Sequence, residues 1–169
     1  GLTVTREDLI LAIRDMIEWG AGLIKVGVNG QRPNGEYYGT MGPDVLGAAV
    51  RTAHEAILKV AAHCIGAEGA LQAAEAGVDS IEHGIHLEGE TVRMMAEDGT
   101  FYVPTMSPFN MPDHLSGVSG VSAADQASRL GMRDSNQASF RRAMEAVKIA
   151  TGTDAGGSQA GHGLIVREI

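Results

Sequence analysis

The sequence contains a single cysteine, and no apolar run in its 169 residues approaches the length of a membrane span. One cysteine excludes an internal disulfide framework and a cysteine-type zinc finger, and it is typical of a reducing compartment. A membrane span needs about 20 apolar residues, and the N-terminal GLTVTREDL lacks the basic start and apolar stretch of a signal peptide. We therefore expect a cytoplasmic protein with no membrane partner.

Basic residues are also scarce, since 13 Lys and Arg against 21 Asp and Glu give a formal charge of −8. This composition argues against a nucleic-acid partner, because phosphate binding relies on clustered Lys and Arg. The chain has no P-loop, no GxGxxG after a strand, no GxSxG elbow and no HExxH. Its length and its 44% hydrophobic content are those of one ordinary globular domain.

What the sequence does contain is a repeated switch between helix-like and strand-like hydrophobic periodicity. The switch predicts five helices that alternate with five strands. This order implies parallel strands joined by crossover helices. Thr5 with Asp8 forms a capping box that opens the first helix, and glycines end several helices. Residues 30–43 are expected to form a long turn-rich loop, and residues 108–121 a mobile loop before a helix that opens at Ser122.

About five strands are too few to close an eight-stranded β/α barrel, which usually takes about 250 residues. We predict an α/β fold in the form of a partial TIM-type β/α barrel, with residues 1–169 as one catalytic-domain fragment. An open barrel leaves strand edges and helix faces uncovered, so we expect contacts from the remainder of a barrel or from another copy in a homo-oligomer. A five-stranded doubly wound sheet is the alternative.

Four side chains suited to catalysis lie at the C-terminal ends of strand-like runs, the ends that face the active site of a β/α barrel. They are Lys25 in LIKVGVNG, His63 in KVAAHCIG, His83 in DSIEHGIH and Asp154 in KIATGTDAG. Residues of these types that converge from four strands can hold a divalent metal and activate a water, which predicts a metal-dependent hydrolase. Each residue taken alone also has a structural interpretation, as a paired lysine, a core histidine or an Asx turn.

Lys25 can serve as a ligand only in a modified form, because a lysine amine has an ordinary pKa of about 10.4. Its apolar neighbours and a nearby metal are expected to lower this pKa by burial and charge, and a neutral amine can add carbon dioxide to form a carbamate. A carbamate is a bidentate oxygen ligand that can bridge two metals. Cys64 lies on the face opposite His63 by strand parity, so we expect it to be a small buried apolar residue.

Asp154 lies among small residues in TGTDAGG and is expected to be a buried carboxylate that needs a metal or hydrogen-bond donors. In contact with metal and substrate, it can accept the proton of a water and pass it to a leaving amine. The candidates for substrate binding are weaker. Arg32, Tyr37 and Tyr38 belong to the expected loop, where a guanidinium and phenols suit a substrate carboxylate, and His162 falls in another loop at the same mouth. A solvated loop is the alternative interpretation.

These segments resemble the amidohydrolase superfamily, in particular its imidazolonepropionase-like and Xaa-Pro dipeptidase-like branch. The similar segments are IKV, VAAHCIGAEGALQAAEAGVDSIEHG, GTFYVPT and GTDAGG. The resemblance implies a distorted β/α barrel with Lys25 as the carboxylated lysine of strand four and Asp154 as the catalytic aspartate of strand eight. It implies that His63 and His83 are the metal ligands of strands five and six. It also implies two divalent ions, commonly zinc, bridged by the carbamate and a hydroxide that attacks an amide or related carbon.

The sequence lacks two features of that superfamily's members. One is the HxH pair on the first strand that completes the more buried metal site, and the other is the small β-sandwich built from both chain ends. The chain therefore resembles strands four to eight. The leading interpretation is a binuclear metallohydrolase of amide or peptide-type C–N bonds in a small-molecule substrate, a dipeptide or an N-acyl amino acid. The alternatives are a noncatalytic βα fragment or ligand-binding module, a cyclic-amide hydrolase of the imidazolonepropionase type, and a lyase or isomerase on the same scaffold.

Overall fold

A computed structural model describes residues 5–110 and 123–155 of the chain. Helices and strands alternate along most of it, as the periodicity predicts. In chain order the elements are α1 (Arg6–Glu18), β1 (Leu23–Gly27), β2 (Asn29–Gln31), β3 (Tyr37–Gly39), α2 (Pro43–Glu55), β4 (Lys59–Cys64), α3 (Ala67–Ala76), β5 (Ser80–His83), α4 (Gly89–Asp98), β6 (Phe101–Val103), α5 (Met106–Asn110), α6 (Ala123–Ala143) and β7 (Lys148–Ile149). None of the described helices is both long enough and apolar enough to cross a membrane.

Five of the strands form one parallel sheet in the order β1-β4-β5-β6-β7. Each strand therefore lies beside the next parallel strand along the chain, and successive helices pack side by side, α1 on α2, α2 on α3 and α3 on α4. A doubly wound sheet instead reverses its strand order at a switch point and carries helices on both faces. The doubly wound alternative is therefore wrong, and the partial β/α barrel predicted from the sequence is the fold.

The hydrophobic core lies between the sheet and the layer of helices. Alternate strand residues point into it, because successive side chains of a strand face opposite sides. The strand contribution consists of Ile24, Val26, Val60, Ala62, Cys64, Ile81 and Tyr102. The other face of the sheet, here called the concave face, leaves Leu23 49% and Phe101 44% exposed. Open apolar residues on this face are what an unclosed barrel produces.

The predicted helix ends are confirmed. The Asp8 amide donates to the Thr5 hydroxyl oxygen at 3.1 Å and the Thr5 amide donates to the Asp8 carboxylate at 3.2 Å, which completes the capping box at the start of α1. Gly77 and Gly99 end α3 and α4 with φ angles of 78° and 73°, a left-handed conformation that glycine adopts without steric cost.

The expected loop over residues 30–43 is wrong in part, because β2 and β3 pair there as an antiparallel hairpin. Its turn-forming residues lie at the tip, and long-range hydrogen bonds hold its base. The Ile65 amide donates to Asn29 Oδ1 at 2.8 Å and the Gly39 amide donates to Glu68 Oε2 at 2.9 Å. The hairpin thus lies against the start of α3, above the end of β4.

The mobile loop expected over residues 108–121 is also corrected in part. Residues 108–110 complete the short helix α5, in which the Asn110 side chain donates to the Met106 carbonyl at 2.8 Å. The remainder of that loop and Ser122 lie outside the described residues.

The opposite end of the sheet is held by an ionic group around Asp79, at the start of β5. Its carboxylate accepts hydrogen bonds from Lys59 Nζ at 2.7 Å and from the Val60 amide at 2.8 Å, and its Oδ2 lies 2.7 Å from His54 Nε2. Burial alone raises the pKa of Asp79, but the hydrogen bonds from Lys59, Val60 and His54 outweigh it and lower the pKa. This group ties the starts of β4 and β5 to the end of α2.

Replacing Asp79 by asparagine is expected to lower the free energy of unfolding by about 2 kcal/mol near neutral pH, because hydrogen bonds to a charged group stabilise by about that much. The folded pKa lies below the ordinary 3.8. The charge therefore stabilises the fold above that pH, and the contribution is lost as the pH falls through the folded pKa. Urea titrations of wild type and variant, at about pH 7 and about pH 3, measure the effect.

The matched control is Asp98→Asn, which removes a carboxylate that is exposed at the end of α4. This control is expected to change the unfolding free energy by less than about 0.5 kcal/mol at either pH. A stability loss in Asp79→Asn that stayed the same at the lower pH would show that the charge of Asp79 is not its source.

Candidate active site

Three of the four predicted residues lie at the carboxyl edge of the sheet, and one lies deeper. His63 is the fifth residue of β4, His83 ends β5, and Asp154 follows β7. Lys25 is the central residue of β1, and it pairs with Ala61 while Gly27 pairs with His63. Lys25 is therefore two residues below the level of His63, on the same face of the sheet, and its expected place at the strand end is corrected.

The two histidine rings are in contact, with centroids 4.7 Å apart and planes at 72°. Strand geometry alone does not produce this pair. His83 is in register with Cys64, which is buried on the helix side of β4, and residues in register share a face of the sheet. The His83 ring reaches His63 instead, and the backbone of His83 departs from the strand conformation with a φ of 65°. The turn of the backbone at His83 is what builds the pair.

Unusual backbone conformation is concentrated at this edge. Of the five described non-glycine residues with a positive φ, four lie at or after the ends of β5, β6 and β7, namely His83, His86, Thr105 and Asp154. The left-handed conformation costs a non-glycine residue about 1–2 kcal/mol. Strained residues cluster at functional sites, where the surrounding structure holds them in place. The concentration of these residues makes the carboxyl edge the candidate functional end of the sheet.

Gly84 makes room for one of the groups that hold His83. Its φ is 54°, and a Cβ atom added there would lie 2.5 Å from the Tyr102 ring. The Tyr102 hydroxyl donates to the carbonyl of His83 at 3.0 Å. Glycine after the histidine in SIEHG is thus required by the tyrosine that binds the histidine peptide.

Both histidines are neutral at physiological pH. Burial, and next repulsion from a protonated His63, lower the pKa of His83 to about 4, although the Asp154 carboxylate opposes the shift. Burial and then Lys25 lower the pKa of His63, again against Asp154. A neutral imidazole keeps the lone pair that a metal requires. Lys25 and Asp154 act on both rings, so the four predicted residues share one electrostatic environment.

The expected burial of Lys25 and Asp154 is wrong, since both side chains are exposed. The apolar neighbours Ile24 and Val26 point to the helix layer, and the alternation of the strand turns Lys25 onto the open concave face. Asp154 lies at the mouth, beyond the end of β7. The expected burial of Cys64 is confirmed at 0% exposure, and burial raises the pKa of its thiol, so it is a neutral core residue.

The donor atoms suit a divalent cation. Two neutral imidazoles in contact are nitrogen donors of the kind zinc takes, and a carboxylate and a lysine act on them from nearby. Within residues 5–110 and 123–155, no three His, Cys, Asp or Glu side chains are grouped as a complete metal site. The individual ligand roles of Lys25, His63, His83 and Asp154 stay predictions.

The predicted substrate-binding residues lie on the hairpin beside the mouth. The Arg32 guanidinium lies 4.8 Å from the centre of the Tyr38 ring and 3.6 Å from the Glu36 carboxylate. Tyr37 packs against Gly66, where an added Cβ would lie 2.7 Å from the tyrosine Cβ. These contacts place Arg32 and Tyr38 together. Their role in binding stays a prediction, and His162 lies outside the described residues.

Sequence reasoning missed several residues around the pair. Thr105 Oγ1 lies 2.7 Å from His83 Nδ1, and Asn136 on α6 donates to the His83 carbonyl at 3.2 Å. Glu82 is in register with His63 and accepts a hydrogen bond from Ser80 Oγ at 2.7 Å. Strand parity with His63 is the signal that identifies Glu82. Asn136 is 53 residues from His83 in sequence, and no local pattern connects the two.

A separate cavity lies at the opposite end of the sheet. It has a volume of about 640 Å³ and is lined at the amino ends of the strands by residues that include Lys59, Asp79, Phe101 and Lys148. Catalytic groups of β/α barrels lie at the carboxyl ends of the strands, whereas residues at the amino ends contribute to stability. The histidine pair, not this cavity, therefore defines the candidate active site.

A family model described as the amidohydrolase family matches residues 25–166. Over 100% of its length the chain is 33% identical to an uncharacterized protein of Mycobacterium tuberculosis, of which it covers 47%. Over 88% of its length it is 31% identical to ochratoxinase of Aspergillus niger, of which it covers 32%. The chain thus spans less than half of the curated relatives it matches.

Solved structures agree with these relatives. The crystal structure of a Xaa-Pro dipeptidase with bound methionine in the active site superposes with a TM-score of 0.80 at 33% identity, over 96% of this chain and 41% of that one. The A. niger ochratoxinase structure superposes with a TM-score of 0.77 at 29% identity, over 89% of this chain and 34% of that one. The resemblance to the amidohydrolase superfamily, predicted from IKV, VAAHCIGAEGALQAAEAGVDSIEHG, GTFYVPT and GTDAGG, is confirmed.

Proposed function

This chain belongs to the amidohydrolase family, and we propose that it supplies part of the active site of a metal-dependent hydrolase of amide or peptide-type C–N bonds. The observation that carries the proposal is the contact of the neutral His63 and His83 rings at the carboxyl edge of a partial β/α barrel. The similarity to a Xaa-Pro dipeptidase and to ochratoxinase supports the same class of reaction.

His63 and His83 would hold the metal, expected to be zinc, with Lys25 and Asp154 as further ligands and two ions in the whole protein. A divalent metal in such a site activates a water and polarises the scissile carbonyl. Lys25 lies exposed on the concave face, so burial does not assist addition of carbon dioxide to its amine, and a bound metal would have to favour it. Addition forms a bond from Nζ to carbon and releases one proton, and the resulting carbamate offers two oxygen ligands.

Asp154 moves the proton. Its carboxylate accepts a proton from the attacking water and returns it to the nitrogen of the leaving amine, as a general base and then a general acid. Asp154 is exposed at the mouth, and its charge raises the pKa of both histidines, so its position suits this exchange.

The substrate class is a dipeptide or an N-acyl amino acid, both of which carry a free carboxylate. The Arg32 guanidinium, held near the mouth against the Tyr38 ring, is suited to bind that carboxylate. Tyr37 and His162 are further candidates for substrate contact. The concave face, with Leu23 and Phe101 exposed, would be covered by the remainder of a barrel or by a second copy of the chain.

The test is a hydrolysis assay on the natural protein that contains this chain, with Xaa-Pro dipeptides, other dipeptides and N-acyl amino acids as substrates. Cleavage of at least one class is expected, with loss of activity on chelation and recovery on addition of zinc. Elemental analysis of the same samples measures the metal.

The outcomes separate the parts of the proposal. Hydrolysis that survives complete chelation would contradict metal dependence. A metal-loaded protein that cleaves none of these compounds would reject this substrate class and favour the cyclic-amide alternative. A protein with neither metal nor activity would indicate a noncatalytic module.

A further inference from the structure

Two side-chain hydrogen bonds hold the peptide that follows His83, and a third links the amide group of Asn136 to the next strand end. The carbonyl of His83 accepts hydrogen bonds from the Tyr102 hydroxyl at 3.0 Å and from Asn136 Nδ2 at 3.2 Å. The second hydrogen of the same amide group is donated to the carbonyl of Pro104 at 2.9 Å. One amide group therefore ties the end of β5 to the end of β6.

The two peptides tied by Asn136 both adjoin left-handed residues. His83 has a φ of 65°, and Thr105, directly after Pro104, has a φ of 47°. Non-glycine residues disfavour this conformation, so bonds at these two peptides hold each residue in it. Asn136 has 0% exposure, and water is excluded as a competing partner for these bonds.

The side chains of the two left-handed residues then meet. His83 Nδ1 lies 2.7 Å from Thr105 Oγ1, and their exposures are 5% and 2%. A neutral imidazole carries hydrogen on one nitrogen and a lone pair on the other. The Thr105 hydroxyl can accept from Nδ1 or donate to it, and the accepting arrangement leaves the lone pair on Nε2. Metal-binding histidines commonly fix their ligating nitrogen through a hydrogen bond of this kind.

Helix α6 also holds the segment after His83 at a second place. The Leu87 amide donates to Ser139 Oγ at 2.9 Å, and the Arg142 guanidinium donates to the Leu87 carbonyl. Ser139 is as buried as Asn136, but its hydroxyl is hydrogen-bonded to Leu87, four residues beyond His83. It is therefore the matched control for loss of a buried bond from α6.

We infer that Thr105 and Asn136 are positioning residues: Asn136 holds the left-handed peptides of His83 and Thr105, and Thr105 assigns the lone pair of His83 to Nε2. The hydrogen bonds of Thr105 and Asn136 do not depend on a bound metal. The role of His83 Nε2 as a metal ligand rests on the proposed function.

The first experiment measures the tautomer of His83 in the metal-free protein near neutral pH, by long-range ¹H–¹⁵N correlation spectroscopy. The Nδ1–H form is expected in wild type and in Thr105→Ser. Thr105→Val keeps the shape of the side chain but removes its hydroxyl, and the ratio of Nε2–H to Nδ1–H forms is expected to rise about tenfold. Wild type in the Nε2–H form, or an unchanged ratio in Thr105→Val, would overturn the inference.

The second experiment measures the same ratio and the zinc affinity in Asn136→Ala and in Ser139→Ala. Asn136→Ala is expected to raise the Nε2–H fraction and weaken zinc binding by about 10–100-fold, while Ser139→Ala stays within about twofold of wild type in both. Equal changes in the two variants would overturn the role of Asn136. A wild type that keeps the Nδ1–H form but binds no zinc would reject the proposed function and leave the positioning intact.

Discussion

Replacing Asp154 by asparagine is expected to lower kcat by about 10²–10⁴-fold, the usual contribution of a general acid–base group. Asparagine has the shape of aspartate and keeps one oxygen, but it cannot accept the proton of the attacking water. The metal content is expected to stay near that of wild type, because His63 and His83 are unchanged. Steady-state kinetics on the best substrate of the amide panel, with elemental analysis of the same preparation, measures both quantities.

The position of Asp154 supports this separation of catalysis from metal binding. The residue has a φ of 50° and an exposed side chain, and its charge raises the pKa values of both histidines against the effect of burial. Asp134→Asn is the matched control, since Asp134 is an exposed carboxylate on α6 that pairs with Arg133 at 3.1 Å. Activity in Asp154→Asn equal to that of the control would remove Asp154 as the base.

Much of the fold follows from local signals in the sequence. The capping box of Thr5 and Asp8, and the glycines that end α3 and α4, act within one turn of chain, so their effect is readable without tertiary structure. The sequential order of the parallel strands follows from the alternation of helices and strands. The β2–β3 hairpin was not predicted, because the residues that hold it lie far along the chain. The Ile65 amide donates a hydrogen bond to the hairpin, and the Glu68 carboxylate accepts one from it.

The candidate site was predictable as a set of residues but not as a geometry. Strand ends in KVAAHC and SIEH identify His63 and His83, but alternation alone puts His83 on the same side as its register partner Cys64. The positive φ at His83 reverses that side. The positive φ of His83 depends on hydrogen bonds from Tyr102 and Asn136 to its carbonyl. Both residues are far from His83 in sequence, so no local pattern predicts these bonds.

The exposure of Lys25 has a similar origin. Its neighbours Ile24 and Val26 are apolar, which suggests a buried lysine when the sequence is read as a run. In a strand, however, those neighbours face the helices and Lys25 faces the interior of the barrel. Whether that interior is closed depends on strands that pair beyond β1 and β7, and such pairing is not encoded in the periodicity of this segment.

The histidine pair gives the prediction with the largest expected effect. The double substitution His63→Ala, His83→Ala removes both nitrogen donors. Loss of a group that merely orients a metal-binding histidine costs about 10–100-fold in affinity, so loss of both ligands is expected to weaken zinc binding by more than about 100-fold. Elemental analysis after gel filtration is expected to find zinc in wild type and none above background in the double variant, with hydrolysis lost in parallel.

His54→Ala is the matched control, because His54 contacts Asp79 at the opposite end of the sheet. This variant is expected to lose some stability and to keep the zinc content of wild type, whereas the double variant keeps its helical circular dichroism and loses its metal. Equal zinc in the double variant and in wild type would place the metal on other residues and make the contact of the two rings structural. Loss of zinc in the double variant alone would instead assign the metal to the carboxyl edge, where the left-handed residues after β5, β6 and β7 are concentrated.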